Sequence, residues 1–322
     1  MAVAAVAQSV SKTRFDLADV LLFDPVAPNR STSRTALGMV GFRQIFATSD
    51  FDEMIATLRG KVFDLFVADI SQDATRLCNL VLAMRGGRMA RNPFVHVMLM
   101  AWKLEDDLVK RALNCGADDL ITRPYSVGFL SGRVKSLTEG RKGFVVTSDY
   151  IGPDRRRDPG RNAGVPLFDV PNTLRLKTRG DSELAHLDLE VPRAIRDARA
   201  KIGAERARRD AFQLSVLAQF LREALTATQP LDHELDRLDA TMKDLGWRLD
   251  GVADEAVLMT CESLEKAIIG GKSGENVAEH VGKIEELAGA LYTALNPGRS
   301  PDDLRSELKK AITLIKSRGR RD

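Results

Sequence analysis

Three charged residues stand where apolar runs stop. Asp24 ends VLLFD, Asp69 ends LFVAD, and Arg123-Pro124 follows DDLIT. A single Asp at such a point is ordinarily a turn or capping residue. Carboxylates can also ligate a hard cation, and a guanidinium can hold an anion through paired hydrogen bonds. In a doubly wound sheet the carboxyl ends of the strands open on one crevice, where such folds bind ligands. That rule gathers Asp24, Asp69, Met100 and Arg123 around a single site.

For these residues to meet, the intervening chain must build parallel strands. From Phe15 to Thr138, short β-branched or apolar runs alternate with amphipathic stretches, the pattern of an α/β parallel sheet covered by helices on both faces. The spacing predicts strands at 18–24, 42–47, 64–70, 94–100 and 118–122, with helices at 29–40, 50–60, 73–86, 104–115 and 126–138. Asp50 and Glu53 have capping-box spacing, and Gly60 and Gly116 fall where helices should stop. Residues 1–14 read as a disordered N-terminus and 15–141 as the α/β domain. After Arg141, a Pro-, Gly- and Arg-rich stretch without a sustained period reads as a linker over 142–180. Over 181–322 the period becomes helical, with candidates at 191–228, 231–269, 275–294 and 301–318. These suit an all-α bundle or a dimerising helix pair.

A five-unit α/β domain with Asp at the ends of strands 1 and 3, VLLFDP and LFVADI at those strands, and GADDLITRPY at 116–125 resembles the receiver domain of bacterial response regulators, over roughly 16–140. The resemblance implies a five-stranded, flavodoxin-like doubly wound sheet. It also implies Asp69 as the carboxylate that accepts phosphate from a histidine kinase, with Mg²⁺ neutralising the charge. Here the acidic pair that holds the metal reads Asp24-Pro25. The metal would be left with Asp24, Asp69, a carbonyl near Ser71 and water, which predicts weak Mg²⁺ binding. Arg123 stands in for the phosphate-contacting lysine with a different, forked geometry. Met100 replaces the hydroxyl, and Leu120 the aromatic, that couple the site to its switch. Neither can make the hydrogen bond that biases the two states, so the ordinary switch is predicted to be disabled.

Other stretches invite chemistry less strongly. Arg155, Arg156 and Arg157 follow the Gly152-Pro153-Asp154 turn and form a compact cation for an anion or a docking partner. The basic run 193–209 precedes an apolar stripe of Phe212, Leu214, Leu217, Phe220, Leu221 and Leu225. Acidic interruptions at Asp197, Glu205 and Asp210 favour a core helix or dimer seam over a DNA-binding basic region. Four histidines lack ligand spacing. His280 is helix-borne, as a phosphotransfer module would need, but its neighbours suit a surface position. IIGGKSGE lacks the first glycine of a phosphate-binding loop.

Bulk properties set the limits. The 322 residues exceed one small core and predict two domains. Lys and Arg number 48 against 45 Asp and Glu, so the net charge of +3 demands no polyanionic partner. Cys78, Cys115 and Cys261 have no C-x-x-C spacing, which argues against a disulfide framework or zinc site and suits a cytoplasmic protein. No window reaches the ~20 apolar residues of a membrane span. The expectation is a non-enzymatic signalling protein that binds a protein partner, a histidine kinase or downstream signalling protein, through the face built by 104–115, 118–122 and 126–138. A homodimer through the helical region is compatible with it. The alternatives are a DNA-binding regulator using 193–209 and a helical phosphotransfer module.

Overall fold

A computed structural model describes residues 14–156, 166–178, 184–249 and 253–318. The N-terminal stretch expected to be disordered lies almost wholly outside them. The chain divides into two units, Met1–Lys201 and Ile202–Asp322.

Unit 1 is built on strands β1 (Asp19–Phe23), β2 (Gln44–Thr48), β3 (Leu65–Asp69), β4 (His96–Ala101) and β5 (Asp119–Thr122). They form one parallel sheet in the order β2-β1-β3-β4-β5. All five residues of β3 and all six of β4 are buried. Continuous rather than alternating apolar character is what a strand covered on both faces requires. On one face lie α2 (Phe51–Gly60), α3 (Ala74–Arg85) and α4 (Asp106–Asn114), around Met54, Phe66, Leu77, Val81, Met84 and Leu99. On the other lie α1 (Ala27–Val40) and α5 (Val127–Glu139), around Leu22, Leu37, Val67, Met98, Ile121 and Val134. Local chemistry sets the helix starts. Asp50 accepts from the N–H groups of Asp52 and Glu53, Asp73 from Arg76, and Ser126 from Phe129.

The stretch 142–180, expected from its composition to be a linker, contains regular structure. Strands β6 (Phe144–Val146), β7 (Ile151–Pro153) and β8 (Leu167–Phe168) form a small antiparallel sheet, and α6 (Thr173–Thr178) follows. These strands are too short to show a period, and Gly152-Pro153 within β7 reads as a turn. The extension covers the amino ends of the main strands, opposite the crevice. Phe144 is fully buried against Phe94, with the Arg85 and Arg141 guanidinium groups 5.2 and 5.1 Å from its ring. Lys177 reaches Asp19 at 2.7 Å and Asp64 at 2.9 Å. Gly116, at φ +91°, is backed by β7 so closely that a Cβ there would lie 2.9 Å from the Ile151 carbonyl.

Helix α7 (Leu184–Thr226) carries the division between the units. Unit 2 comprises its last turns with α8 (Asp232–Leu249), α9 (Glu255–Ser273), α10 (Val277–Leu295) and α11 (Pro301–Arg318). Leu214, Leu217 and Leu221 join Leu238, Leu245, Leu264, Ile284 and Leu291 in one core, so the stripe after the basic run packs within the chain. The helix expected at 231–269 is two helices, the second capped by Asp254. Gly270-Gly271, expected as a break, lies inside α9. The pair is tolerated because the His280 ring occupies the space a Cβ on Gly270 would need.

Candidate functional site

Asp24 follows β1 directly, Asp69 is the last residue of β3, and Arg123 follows β5. The parallel register brings all three to one end of the sheet, beside the point where the strand order reverses. The Arg123 guanidinium bridges the carboxylates. Its Nη1 donates to Asp69 Oδ2 at 2.8 Å and its Nη2 to Asp24 Oδ2 at 2.6 Å. The other two oxygens are taken by main-chain donors, Asp24 Oδ1 by the Val26 N–H and Asp69 Oδ1 by the Ser71 N–H, both at 2.9 Å. All three side chains are buried. Nη2 also donates to Ser33 Oγ at 3.0 Å, and Ser33 Oγ lies 2.9 Å from the Tyr125 hydroxyl. Met100 closes the ring, its sulfur 3.4 Å from that hydroxyl and 3.6 Å from Nη2. The half-exposed Trp102 ring lies 6.0 Å from the guanidinium.

These residues do not fit a divalent metal. The two available carboxylates already have a donor on every oxygen, and an incoming Mg²⁺ would face a fixed positive charge paired with both of its ligands. No cluster of three His, Cys, Asp or Glu able to hold a metal occurs among the described residues. Burial pushes the Asp69 carboxyl above its ordinary pKa, with the Asp24 charge adding to the rise, against the Ser71 N–H and Arg123, which favour the carboxylate.

Leu120 does not join this group. It packs on the α2–α4 face of the sheet, whereas Met100 belongs to the α1/α5 face. Ser33 and Tyr125 belong to the site and were missed. Tyr125 is visible in GADDLITRPY, but nothing in the periodicity of α1 marks Ser33. The proposed anion contacts are otherwise engaged. Arg155 donates to the Ala117 carbonyl, Arg156 pairs with Asp154 at 2.8 Å, and Arg157 lies outside the described residues. In the basic run, Arg199 donates to the Gly87 carbonyl, Arg206 pairs with Asp210, and Arg208 and Arg209 pair with Glu205. His280, expected at the surface, is half-buried, with its Nδ1 enclosed between α9 and α10. His96 is buried at the start of β4. Its Nε2 is 3.0 Å from Asn172 Oδ1, and its Nδ1 is 3.5 Å from Asp118.

No protein-family model matches the chain. Over 160 residues it is 29% identical to the transcriptional regulatory protein PrrA of Mycobacterium tuberculosis, and equally to that of Mycobacterium bovis. The match takes in 48% of this chain and 66% of PrrA, so the chain spans just under two thirds of the length of these curated relatives. Among solved structures, a response regulator from Thermotoga maritima aligns at 23% identity over 37% of this chain and 97% of its own, with a TM-score of 0.33. The receiver domain of the sensor histidine kinase PA1611 from Pseudomonas aeruginosa, whose structure has a magnesium ion coordinated in the active-site cleft, aligns at 15% over 37% and 94%, also with a TM-score of 0.33. Part of this chain is thus similar to part of a transcriptional regulatory protein, and a long all-helical region follows its parallel sheet. No helix of the described residues is long and apolar enough to cross a membrane.

Proposed function

We propose that this chain is a cytoplasmic, non-enzymatic signalling protein whose receiver-type domain binds a protein partner without phosphoryl transfer. The observation that carries this reading is the guanidinium of Arg123 bridging Asp24 and Asp69. It supplies the positive charge that Mg²⁺ would bring and occupies Asp69 Oδ2, while the Ser71 N–H holds Oδ1. Mg²⁺ binding is accordingly weak. The partner, a kinase or a downstream signalling protein, docks on the face of α4, β5 and α5. Trp102, Leu104 and Phe129 are exposed beside these elements and offer apolar anchors of the kind that dominate interfaces.

The test is incubation of the full chain with Mg²⁺ and acetyl phosphate, followed by intact mass, beside an Asp69→Asn control. The expected result is no adduct. A phosphoryl adduct that disappears in the control would overturn the reading. A second reading, DNA binding, is favoured by the name of PrrA as a transcriptional regulator. Its sign would be DNA affinity falling steeply with salt. The pairing of Arg206, Arg208 and Arg209 with acidic neighbours supports the protein-partner reading instead.

A further inference from the structure

Three arginines converge on the segment 116–118 that leads into β5. Arg85 donates to the Gly116 carbonyl at 3.0 Å and to Asp118 Oδ2 at 2.7 Å, Arg155 donates to the Ala117 carbonyl, and Arg141 Nη2 lies 3.6 Å from Asp118 Oδ1. The Arg85 side chain is 1% exposed, and those of Arg141 and Asp118 are each 6% exposed. Two buried guanidinium charges thus stand against one carboxylate. His96, 3.5 Å from Asp118 Oδ1, adds a neutral ring, because burial and then the Arg141 charge hold its pKa low.

The two buried arginines differ in how they are satisfied. Arg85 also donates from Nη1 to the Pro93 and Val95 carbonyls, which leaves it saturated. Arg141 donates from Nη1 to the Pro171 carbonyl at 3.0 Å, but its buried Nε and Nη2 have no hydrogen-bond partner among the described residues. These two nitrogens form one edge of the planar group, the fork through which arginine grips an anion. Asp118 does not fill that fork. Its Oδ2 is held by Arg85 and by the Val97 N–H at 2.8 Å, and its Oδ1 lies beyond hydrogen-bond reach of Nη2. Burial lowers the Arg141 pKa, Asp118 opposes this only in part and the Arg85 charge adds to the fall, leaving it at about 10. A buried charge without its full set of hydrogen bonds is costly. An anion on the fork would supply the missing acceptor and bring the cluster to neutrality.

We propose that the Nε–Nη2 edge of Arg141 is a binding site for one small monovalent anion of chloride size, which ties the chain between α5 and β6 to the entry of β5. The anion completes a neutral quartet with Arg85, Arg141 and Asp118. The site lies at the amino ends of the strands, opposite the crevice, and is independent of the reading of Arg123.

The experiment follows urea unfolding of the full-length protein at fixed ionic strength while sodium chloride replaces sodium gluconate, whose anion is too bulky for so buried a fork. Above the dissociation constant, each tenfold rise in chloride should multiply the ratio of folded to unfolded protein by about ten, as a ligand held by the folded chain alone requires. Arg141→Gln should lose that dependence. Crystals of the parent grown in sodium bromide should show an anomalous scattering peak beside Arg141 Nε and Nη2, a readout that stands whatever the fate of the variant. Equal urea midpoints in chloride and gluconate would overturn the proposal, and so would a chloride response that persists in Arg141→Gln. Bromide peaks only elsewhere, or an ordered water on the fork in the bromide crystal, would overturn it as well.

Discussion

Arg123 is the residue on which the behaviour of the crevice turns. Its removal leaves Asp24 and Asp69 facing each other in a buried site with no counter-charge. Arg123→Ala should therefore take up Mg²⁺ at least about tenfold more tightly than the parent, a difference of ~1.4 kcal/mol. Trp102 lies 6.0 Å from the guanidinium, so a Mg²⁺ titration followed by tryptophan fluorescence, with Trp102→Phe as the blank, reads this directly. An unchanged response would place the barrier to metal in the missing second acid at Pro25. His96 carries a second prediction at this scale. Burial, and then the Arg141 charge, depress its pKa below the ordinary 6.5. Its neutral form is the folded one, so below that value the unfolded chain binds the extra proton first and stability is lost as pH falls. The urea midpoint should drop between about pH 7 and about pH 5.5, and less so in His96→Gln. The facing groups Asp118, Arg85 and Arg141 are common to both proteins, so the difference between the two curves isolates the imidazole. Asp24, Asp69 and Arg123 could be picked out from sequence because each sits at the end of an apolar run. Ser33 could not, since a buried serine in a helix leaves no mark on the hydrophobic period.

Among the elements, the loops that lead into β4 and β5, over which Phe144 of the extension packs, are tied together by a buried arginine. Arg85 donates to the Gly116, Pro93 and Val95 carbonyls and pairs with Asp118 at 2.7 Å, both side chains being buried. Burial works against the charge on Asp118, and Arg85, Arg141 and His96 overcome it, holding its carboxyl well below the usual range. Arg85→Ala should cost ~3–5 kcal/mol, because it strands a buried carboxylate and several carbonyls. Chemical denaturation measures the loss, and a cost under about 1 kcal/mol would mean that Arg141 alone suffices. The five main strands were legible because each is a buried run bounded by turn chemistry. Strands β6 to β8 were not, since two or three residues carry no period and β7 contains Gly152-Pro153. In the helical unit the Gly270-Gly271 pair misled for a related reason. Glycines ordinarily break helices, and only the fold shows a histidine ring filling the notch they leave.

For the molecule as a whole, these contacts move the practical boundary of the first domain from Arg141 to beyond α6. A fragment ending at residue 141 would expose the Phe94 and Arg85 surfaces that Phe144 covers and leave Asp19 and Asp64 without Lys177. A fragment of residues 14–178 should unfold in one cooperative transition, whereas 14–141 should lack a sharp one, as followed by circular dichroism on heating. Equal cooperativity in both would make the extension dispensable.

A receiver that is switched by phosphate carries a clock, because an acyl phosphate hydrolyses and the signal fades with it. With both carboxylates already paired to Arg123, the proposed reading leaves no labile bond to set a lifetime. The strength of the signal would then follow how many copies the cell makes and how fast it degrades them, and control would pass from chemistry at the crevice to synthesis and proteolysis.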